Sequence, residues 1–517
     1  MHKTMEKLFH YKNPIIPGFH PDPSICRAEN RYYLVCSSFQ YFPGIPLFES
    51  SDLVNWRQIG HVLTRPSQLP LQGADSSGGI YAPTIRFYKG RFYVTATNVS
   101  GMGNFIVWTD NIYGEWSDPV SIDQDGIDPS LYFENDDVYF MSNHNEEDGT
   151  ASIIQCSIDP FTGKKLTESR SIWKGCGGRY LEGPHLYKIG SWYYLMGAEG
   201  GTEYGHMEVL SRGVTPYGPF QNAPGNPIVT NRDLGGYPLQ GTGHGDLVED
   251  LFGNWWMVLL AFRQTGPYLP FHHLGRETCL IPVHFTEDSW LEAGTEGKVL
   301  LDIKTSRPLE CSRQTEIFSL TFRNTKPGNE WVWLCNPSLP DYDFSRWESE
   351  EPVFRLKGNG YPLSAHGVSP SFLGLRQQEM EGTVQVQVRL SRKGEAGIAL
   401  YMDDQHHYDF GLKKTDSSLA VIKRRTVGDM TFIQQSETLD PGIEEAVLSV
   451  TMTAENYFFT LSAGSRKLSF GQAKTRYLSS EVAGGFTGVM IGLYAFGTEE
   501  WAEFSCFEYR PVRSKDF

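Results

Sequence analysis

Three acidic residues stand where catalytic chemistry can use them. Asp22 in "HPDPSI", Asp128 in "GIDPSL" and Glu182 in "LEGPHL" each head a proline-containing lead into a strand. An aspartate before Pro-Ser is, taken singly, an ordinary turn initiator. Two aspartates in the same register, with a glutamate one residue out of it, call for a different reason. Gathering carboxylates costs free energy, because like charges raise one another's pKa. Folds accept that cost where the chemistry uses the resulting split in titration. Glycoside hydrolysis is the leading chemistry of this kind: one protonated carboxyl donates to the leaving oxygen, while a second, ionised, activates water.

The elements that must bring these acids together are visible as a repeat. Five segments share one design: "DPSICRAENRYYLVCSS" (22–38), "APTIRFYKGRFYVTATN" (82–98), "DPSLYFENDDVYFMSNH" (128–144), "GPHLYKIGSWYYLMGAE" (183–199) and "HGDLVEDLFGNWWMVLLAF" (244–262). In each, a short lead is followed by a strand, a tight polar or glycine turn, an aromatic pair or its equivalent, and a more apolar strand. From Ser24, Thr84, Ser130, His185 and Asp246 to Tyr32, Phe92, Tyr139, Tyr193 and Trp255 the spacing is eight or nine residues every time. These are β-hairpins by alternation and turn chemistry. Repeat starts fall about 45–60 residues apart, room for four strands per unit, which predicts a five-bladed β-propeller. A β-sandwich would explain the hairpins but not the constant register. In a propeller the innermost strand of each blade begins at the central channel, so the repeat heads Asp22, Ala82, Asp128, Glu182-Gly183 and His244 should converge on one face.

Bulk properties narrow the partners. With 45 basic and 61 acidic residues among 517, the formal charge is −16, and there is no long basic run. Nucleic acid and anionic membrane surfaces are therefore unsuited, and a neutral small oligosaccharide fits better. No stretch of 18 continuous apolar residues predicts a membrane span. The first residues, "MHKTMEKLFHYKNP", carry no apolar stretch of signal-peptide length. The eight cysteines are scattered without metal spacing, so reduced thiols in a cytoplasmic protein are expected. His272-His273 and His406-His407 are adjacent pairs, and strand neighbours point to opposite faces, which makes poor chelators. Phosphate-loop, dinucleotide and serine-elbow motifs do not occur.

"GFHPDPSI", "GIDPSLYF" and "LEGPHLYK" resemble the three acidic signatures of glycoside hydrolase family 43. "SSFQYFPGIPLFESSDLVNW", "AEGGTEYGHM", "GTGHGDLVED" and "HHLGRET" add matching segments in the same order. Over nearly the whole chain, the match is to the branch of β-xylosidases and α-L-arabinofuranosidases with an added C-terminal concanavalin-like domain. The resemblance implies Asp22 as general base, Glu182 as general acid, and Asp128 as the acid that orients Glu182 and keeps its pKa high. It implies inversion at the anomeric carbon, with base and acid about 6.5–9.5 Å apart. It further implies that Arg276 in "LGRET" contacts sugar hydroxyls and that Phe39 and Tyr81 line the pocket. His244 would stand near a calcium ion or a water cluster, with a buried structural histidine as the alternative. No cofactor is required, a structural or activating Ca2+ being the exception, and homo-oligomers are common among such relatives. The sequence departs from many β-xylosidases of the branch, which carry Trp where this chain has Tyr81 and Asp where it has Thr84. Release of single pentoses from non-reducing ends is thus implied, β-1,4-xylosidase being the first reading and α-L-arabinofuranosidase, or both activities, the alternative. A carbohydrate-binding propeller without turnover would be expected to lack one of the acids, and all three are present.

After "LLDIKTSRPLEC" (301–311) the hairpin register stops. Alternating stretches such as "GTVQVQVRL" (382–390) and "AVLSVTMTAENYFFTLSAG" (446–464) predict a β-sandwich, a concanavalin-like jelly roll by the same resemblance. A freestanding carbohydrate-binding module is the alternative. The expected division is a propeller over 1–310 and a sandwich over 311–517. The resemblance also assigns "EVAGGFTGV" (481–489) as a sandwich loop that closes one end of the pocket, with Phe486 inserted. An ordinary hairpin turn with Phe486 in the sandwich core is the other reading of that segment.

Overall fold

Each of the five repeats forms the first two strands of one four-stranded antiparallel sheet in the computed structural model, which describes residues 8–266, 268–307, 319–322 and 328–513. Sheet I contains Ser24–Ala28, Arg31–Val35, Gly44–Ser50 and Arg57–Leu63. Sheet II begins with Thr84–Tyr88 and Arg91–Asn98, sheet III with Ser130–Glu134 and Asp137–Asn145, sheet IV with Glu182–Ile189 and Trp192–Glu199, and sheet V with Leu239–Glu249 and Trp255–Arg263. The tight turns follow from their residues. Lys89 and Gly90 both have positive φ, the conformation a two-residue hairpin of matching twist requires.

The aromatic pairs explain why the sheets pack side by side. Neighbours in a strand face opposite sides, so each pair serves two interfaces. Tyr33 of sheet I meets Phe92 of sheet II at 5.2 Å, and Tyr93 of sheet II meets Phe133 of sheet III at 4.8 Å. Tyr132 of sheet III meets Tyr193 of sheet IV at 6.2 Å, while Tyr194 faces Phe285 of sheet V at 5.7 Å. A separate apolar cluster lies between each successive pair of sheets, and the fifth joins sheet V back to sheet I through Val248, Trp256 and Val258 against Ile25, Tyr32 and Leu34. First strands adjoin first strands around the same circuit. The result is a closed ring of sheets, and Phe9–Lys12 pairs with Asp302–Thr305 beside it.

The remaining strands form two larger antiparallel sheets. One runs Ser371–Arg376, Met490–Phe496, Gly394–Asp403, His406–Lys414, Leu419–Val427 and Met430–Thr438; the other is eight-stranded and includes Glu381–Leu390, Glu445–Met452 and Ala502–Val512. Their inner faces share one core, with Val384, Val386 and Val388 alternating inward against Ile398, Phe410 and Leu412. The expected boundary at 310/311 lies outside the described residues. Apart from Ser480–Ala483 and two short 3-10 turns, the elements among the described residues are strands.

Sandwich and ring are joined by structure that positions the site. Trp333–Leu334 pairs with Tyr41–Phe42 of the ring. Arg263 lies buried between Glu277 (2.8 Å) and Glu379, which tie the last ring sheet to the sandwich. Removing Arg263 would leave two buried carboxylates without this partner, at a cost of about 3–5 kcal/mol.

Candidate active site

Four repeat heads carry the same backbone peculiarity. Asp22 (φ 53°), Asp128 (φ 54°), Gly183 (φ 57°) and His244 (φ 53°) are all left-handed. Three of them, Asp22, Asp128 and Gly183, directly precede proline, and residues before proline avoid the right-handed helical region. Such a conformation is costly for a residue with a side chain and persists where the surroundings over-determine it. Gly183 also explains why the fourth sheet carries its acid one position early. A Cβ at Gly183 would lie 2.9–3.1 Å from the His244 ring, so that position has no room for a side chain. Glu182 supplies the carboxyl instead, where the pairing with Trp192–Glu199 shifts register.

All eight residues expected at the site border one cavity of about 650 Å³: Asp22, Asp128, Glu182, Phe39, Tyr81, Arg276, Phe486 and His244. The acids come from sheets I, III and IV, more than 50 residues apart in the chain, and Arg276 leads into the third strand of sheet V, Glu277–Phe285.

Their environments separate the acids. Arg276 Nη1 donates to Asp22 Oδ1 at 2.7 Å, the Ser37 hydroxyl donates to Oδ2 at 2.6 Å, and His244 Nδ1 lies 3.8 Å away. Burial works to raise the pKa of Asp22, but Arg276, His244 and Ser37 outweigh it and hold the carboxyl below its ordinary value. Glu182 is pushed up to about 7 by burial and by the charge of Asp22, against the opposing pull of Arg276. Asp128 is raised well above the carboxylate range by burial, then by Glu182 and Asp22. Asp128 accepts the Gly183 N–H, so it grips the main chain next to Glu182. Asp128 and Glu182 titrate as a pair. One carboxyl is thus held below its ordinary pKa and two above theirs within the same pocket.

Arg276 is more constrained than a free sugar ligand. Besides Asp22, Nη1 donates to the Thr202 hydroxyl at 2.9 Å, and Nη2 lies 3.4 Å from the Phe486 carbonyl oxygen. Its buried Nε has no hydrogen-bond partner among the described residues. Burial lowers the pKa of His244, with Asp22 opposing.

The apolar wall is a ring cluster. Phe39 stacks on Phe486 at 5.9 Å, and Tyr81 lies 5.3 Å from Phe39 and 5.8 Å from Phe486. Phe486 comes from the sandwich, and its N–H donates to the Ser77 hydroxyl of the ring at 2.8 Å. Of segment 481–489, Glu481, Gly484, Gly485, Phe486 and Thr487 border the cavity. Gly488 permits this placement, since a Cβ there would sit 2.2 Å from the Leu274 carbonyl oxygen. The loop is clipped down by Glu481, which accepts the His272 N–H at 2.9 Å, a His272 Nδ1 contact at 2.7 Å and the Tyr204 hydroxyl at 2.9 Å. His272, adjacent in sequence to His273, turns toward this loop, whereas His273 is buried near Phe271 and Tyr457.

Several lining residues escaped the sequence reading: Thr202, Tyr204, His206, His272 and Glu481. The segment "AEGGTEYGHM" contains three of them, but periodicity carries no sign of which face they take. His206 is 2% exposed, and neither ring nitrogen has a partner among the described residues.

The protein side chains alone do not make a calcium cage beside His244, where waters would have to supply most of the ligands. Calcium takes about six to eight oxygen ligands, and among the described residues no group of three or more His, Cys, Asp or Glu side chains converges as a metal cluster. The channel carboxylate of sheet V is already committed. Arg86 donates to both oxygens of Asp246 (2.8 and 3.1 Å), the Ser24 hydroxyl donates to Oδ2 at 2.6 Å, and the Tyr187 hydroxyl donates to Oδ1. Arg86 also meets His185 Nδ1 at 2.9 Å, so the layer beneath the acids is a compensated ion pair.

Residues 11–291 match Glycosyl hydrolases family 43, and residues 319–510 match the Beta xylosidase C-terminal Concanavalin A-like domain. The chain is 39% identical to a non-reducing end alpha-L-arabinofuranosidase of Bacteroides ovatus, over 97% of this chain and 94% of that protein. It is 36% identical to a xylosidase/arabinosidase of Butyrivibrio fibrisolvens, over 97% and 99%. A crystal structure of xylan beta-1,4-xylosidase from Bacillus halodurans superposes with a TM-score of 0.88 at 29% identity, covering 96% of this chain and 99% of that one.

Proposed function

The chain belongs to glycosyl hydrolase family 43 and is a glycosidase, and within that family we propose an exo-acting, inverting pentosidase that releases single residues from non-reducing ends of xylo- or arabino-oligosaccharides. The observation that carries this reading is the split of the acids: Asp22 held ionised by Arg276 and Ser37, Glu182 raised to about 7. Asp22 takes the proton of the attacking water. Glu182 gives its proton to the leaving oxygen and is mostly protonated below neutral pH. Asp128, neutral, holds the Gly183 N–H and with it the backbone that presents Glu182. The wall of Phe39, Tyr81 and Phe486 closes one end of the cavity, which admits a chain end and blocks passage of a continuing polymer.

β-1,4-Xylosidase is the first reading of the substrate. A second reading, α-L-arabinofuranosidase, is favoured by one observation: Tyr81, half-buried against Phe39 and Phe486, stands where a larger Trp is common among β-xylosidases of this branch. A smaller ring leaves room for a furanose. Seven described cysteines are free thiols, five of them buried, in keeping with a reducing, cytoplasmic setting for imported oligosaccharides.

The test is kcat/KM of one preparation on an aryl β-D-xyloside and an aryl α-L-arabinofuranoside. A xylose preference well above tenfold, about 1.4 kcal/mol of transition-state discrimination, supports the first reading, and the reverse ratio supports the second. Folded protein silent on both would refute the proposal.

A further inference from the structure

Tyr180 lies two residues before Glu182, on the segment that delivers the proposed acid to the cavity, and it lines that cavity. Its neighbour Leu181 is 1% exposed, whereas Tyr180 is 57% exposed. A large aromatic ring left open at a pocket mouth is apolar surface without an internal use. The backbone makes the choice of residue more pointed. Tyr180 has φ 56°, a left-handed conformation that a bulky side chain rarely adopts and that strain-free design would give to glycine or asparagine.

The surroundings hold this ring. The Arg179 guanidinium lies 5.2 Å from the ring centroid. Arg179 is itself fixed, donating to Glu203 at 2.6 Å and to the Gly200 carbonyl oxygen at 3.2 Å, while its own carbonyl accepts the Gly200 N–H at 2.8 Å. Gly201 packs close beneath, since a Cβ there would lie 3.1 Å from Tyr180 Cδ2. The 175–178 turn that leads into the segment is anchored by Glu199, which accepts the N–H groups of Cys176 (2.6 Å) and Gly178 (3.0 Å). An exposed ring supported to this degree is pre-organised for a ligand.

The position of Glu182 says which part of the ligand. A general acid protonates the glycosidic oxygen, so the group on its open side is the one that departs. Phe39, Phe486 and the Arg276–Asp22 pair border the same cavity. We propose that Tyr180 is the platform on which the leaving-group sugar stacks, through the apolar C–H face of its ring, with the charged Arg179–Glu203 pair within reach of its hydroxyls. The chain then selects glycosides whose leaving group is itself a sugar ring over those with a small leaving group. This inference rests on the glycosidase reading above.

The experiment uses the full chain and compares kcat/KM on a β-1,4-linked xylobiose with that on xylosyl fluoride, which has no leaving sugar; the arabinosyl pair replaces them if arabinose is the preferred sugar. In Tyr180→Ala the ratio of disaccharide to fluoride is expected to fall about tenfold, and in Tyr180→Trp to return to within about threefold of the wild type. An unchanged ratio in Tyr180→Ala overturns the platform. So does an equal fall on both substrates, because that is the mark of a displaced Glu182. Wild-type protein inactive on the fluorides would remove the glycosidase reading itself, an outcome separate from either ratio.

Discussion

Replacing Glu182 by Gln removes one proton and almost no volume, so the rate change reports acid assistance and little else. With the Glu182 pKa near 7, the acid is roughly nine-tenths protonated at pH 6 and one-tenth at pH 8. Wild-type kcat/KM on an unactivated disaccharide should therefore fall about tenfold per pH unit above 7. Asp22 must be ionised to act as base, and its lowered pKa puts the acidic limb below pH 4, leaving a plateau between the limbs. General acid assistance is worth about 10²–10⁴ in rate, or about 3–5 kcal/mol of barrier. Glu182→Gln should lose that much on the disaccharide. On an aryl pentoside, whose phenolate leaves unaided, it should lose less than about tenfold. The assay is kcat/KM from pH 3.5 to 9 on both substrates, wild type and variant side by side. The reasoning is refuted by an equal loss on the two substrates, or by an alkaline limb near pH 7 that survives the substitution.

The same substitution has a stability signature. The folded pKa of Glu182 is raised from 4.5 to about 7, so between these values ionisation is gained by unfolding, and stability declines as pH rises through that window by about 3 kcal/mol in all. Glu182→Gln should melt at the wild-type temperature at pH 4 and above it at pH 8; a variant equally displaced at both pH values would contradict the burial argument. Gly183→Ala places a methyl against the His244 ring at a φ of 57°, which should cost about 2–4 kcal/mol by denaturant titration and depress activity with it. A variant as stable as wild type would mean that the His244 ring moves freely. Phe486→Ala removes the sandwich's contribution to the ring cluster and should raise KM for aryl pentosides by about tenfold or more. Unchanged KM would show that the loop does not bound the occupied part of the pocket.

Much of this protein could be read from local pattern. Hairpins are written in alternation and in turn residues such as Lys89-Gly90, and the aromatic pairs that join the sheets recur at a fixed distance from each repeat head. Equal register implies equal place around the ring, which is why Asp22, Asp128, Glu182 and His244 could be assembled before any coordinates. Segment 481–489 was placed at the pocket by the family resemblance, its glycines and its one aromatic ring leaving a hairpin turn as the other reading. Other features depended on partners remote in sequence. Glu481 meets His272 and Tyr204 across more than 200 residues, and Thr202 reaches Arg276; no periodicity links such positions. The displacement of the third acid to Glu182 follows from a single close approach, His244 against Gly183. The division of labour among the carboxyls was implied by the family resemblance but not by local pattern, because a pKa is set by burial and by charges that only the fold brings near: Arg276, 254 residues from Asp22, works to keep that carboxylate ionised, and the charge it preserves raises the pKa of Glu182. Local pattern specifies which elements form and which acids they carry. The tertiary structure alone decided which of those acids holds a proton.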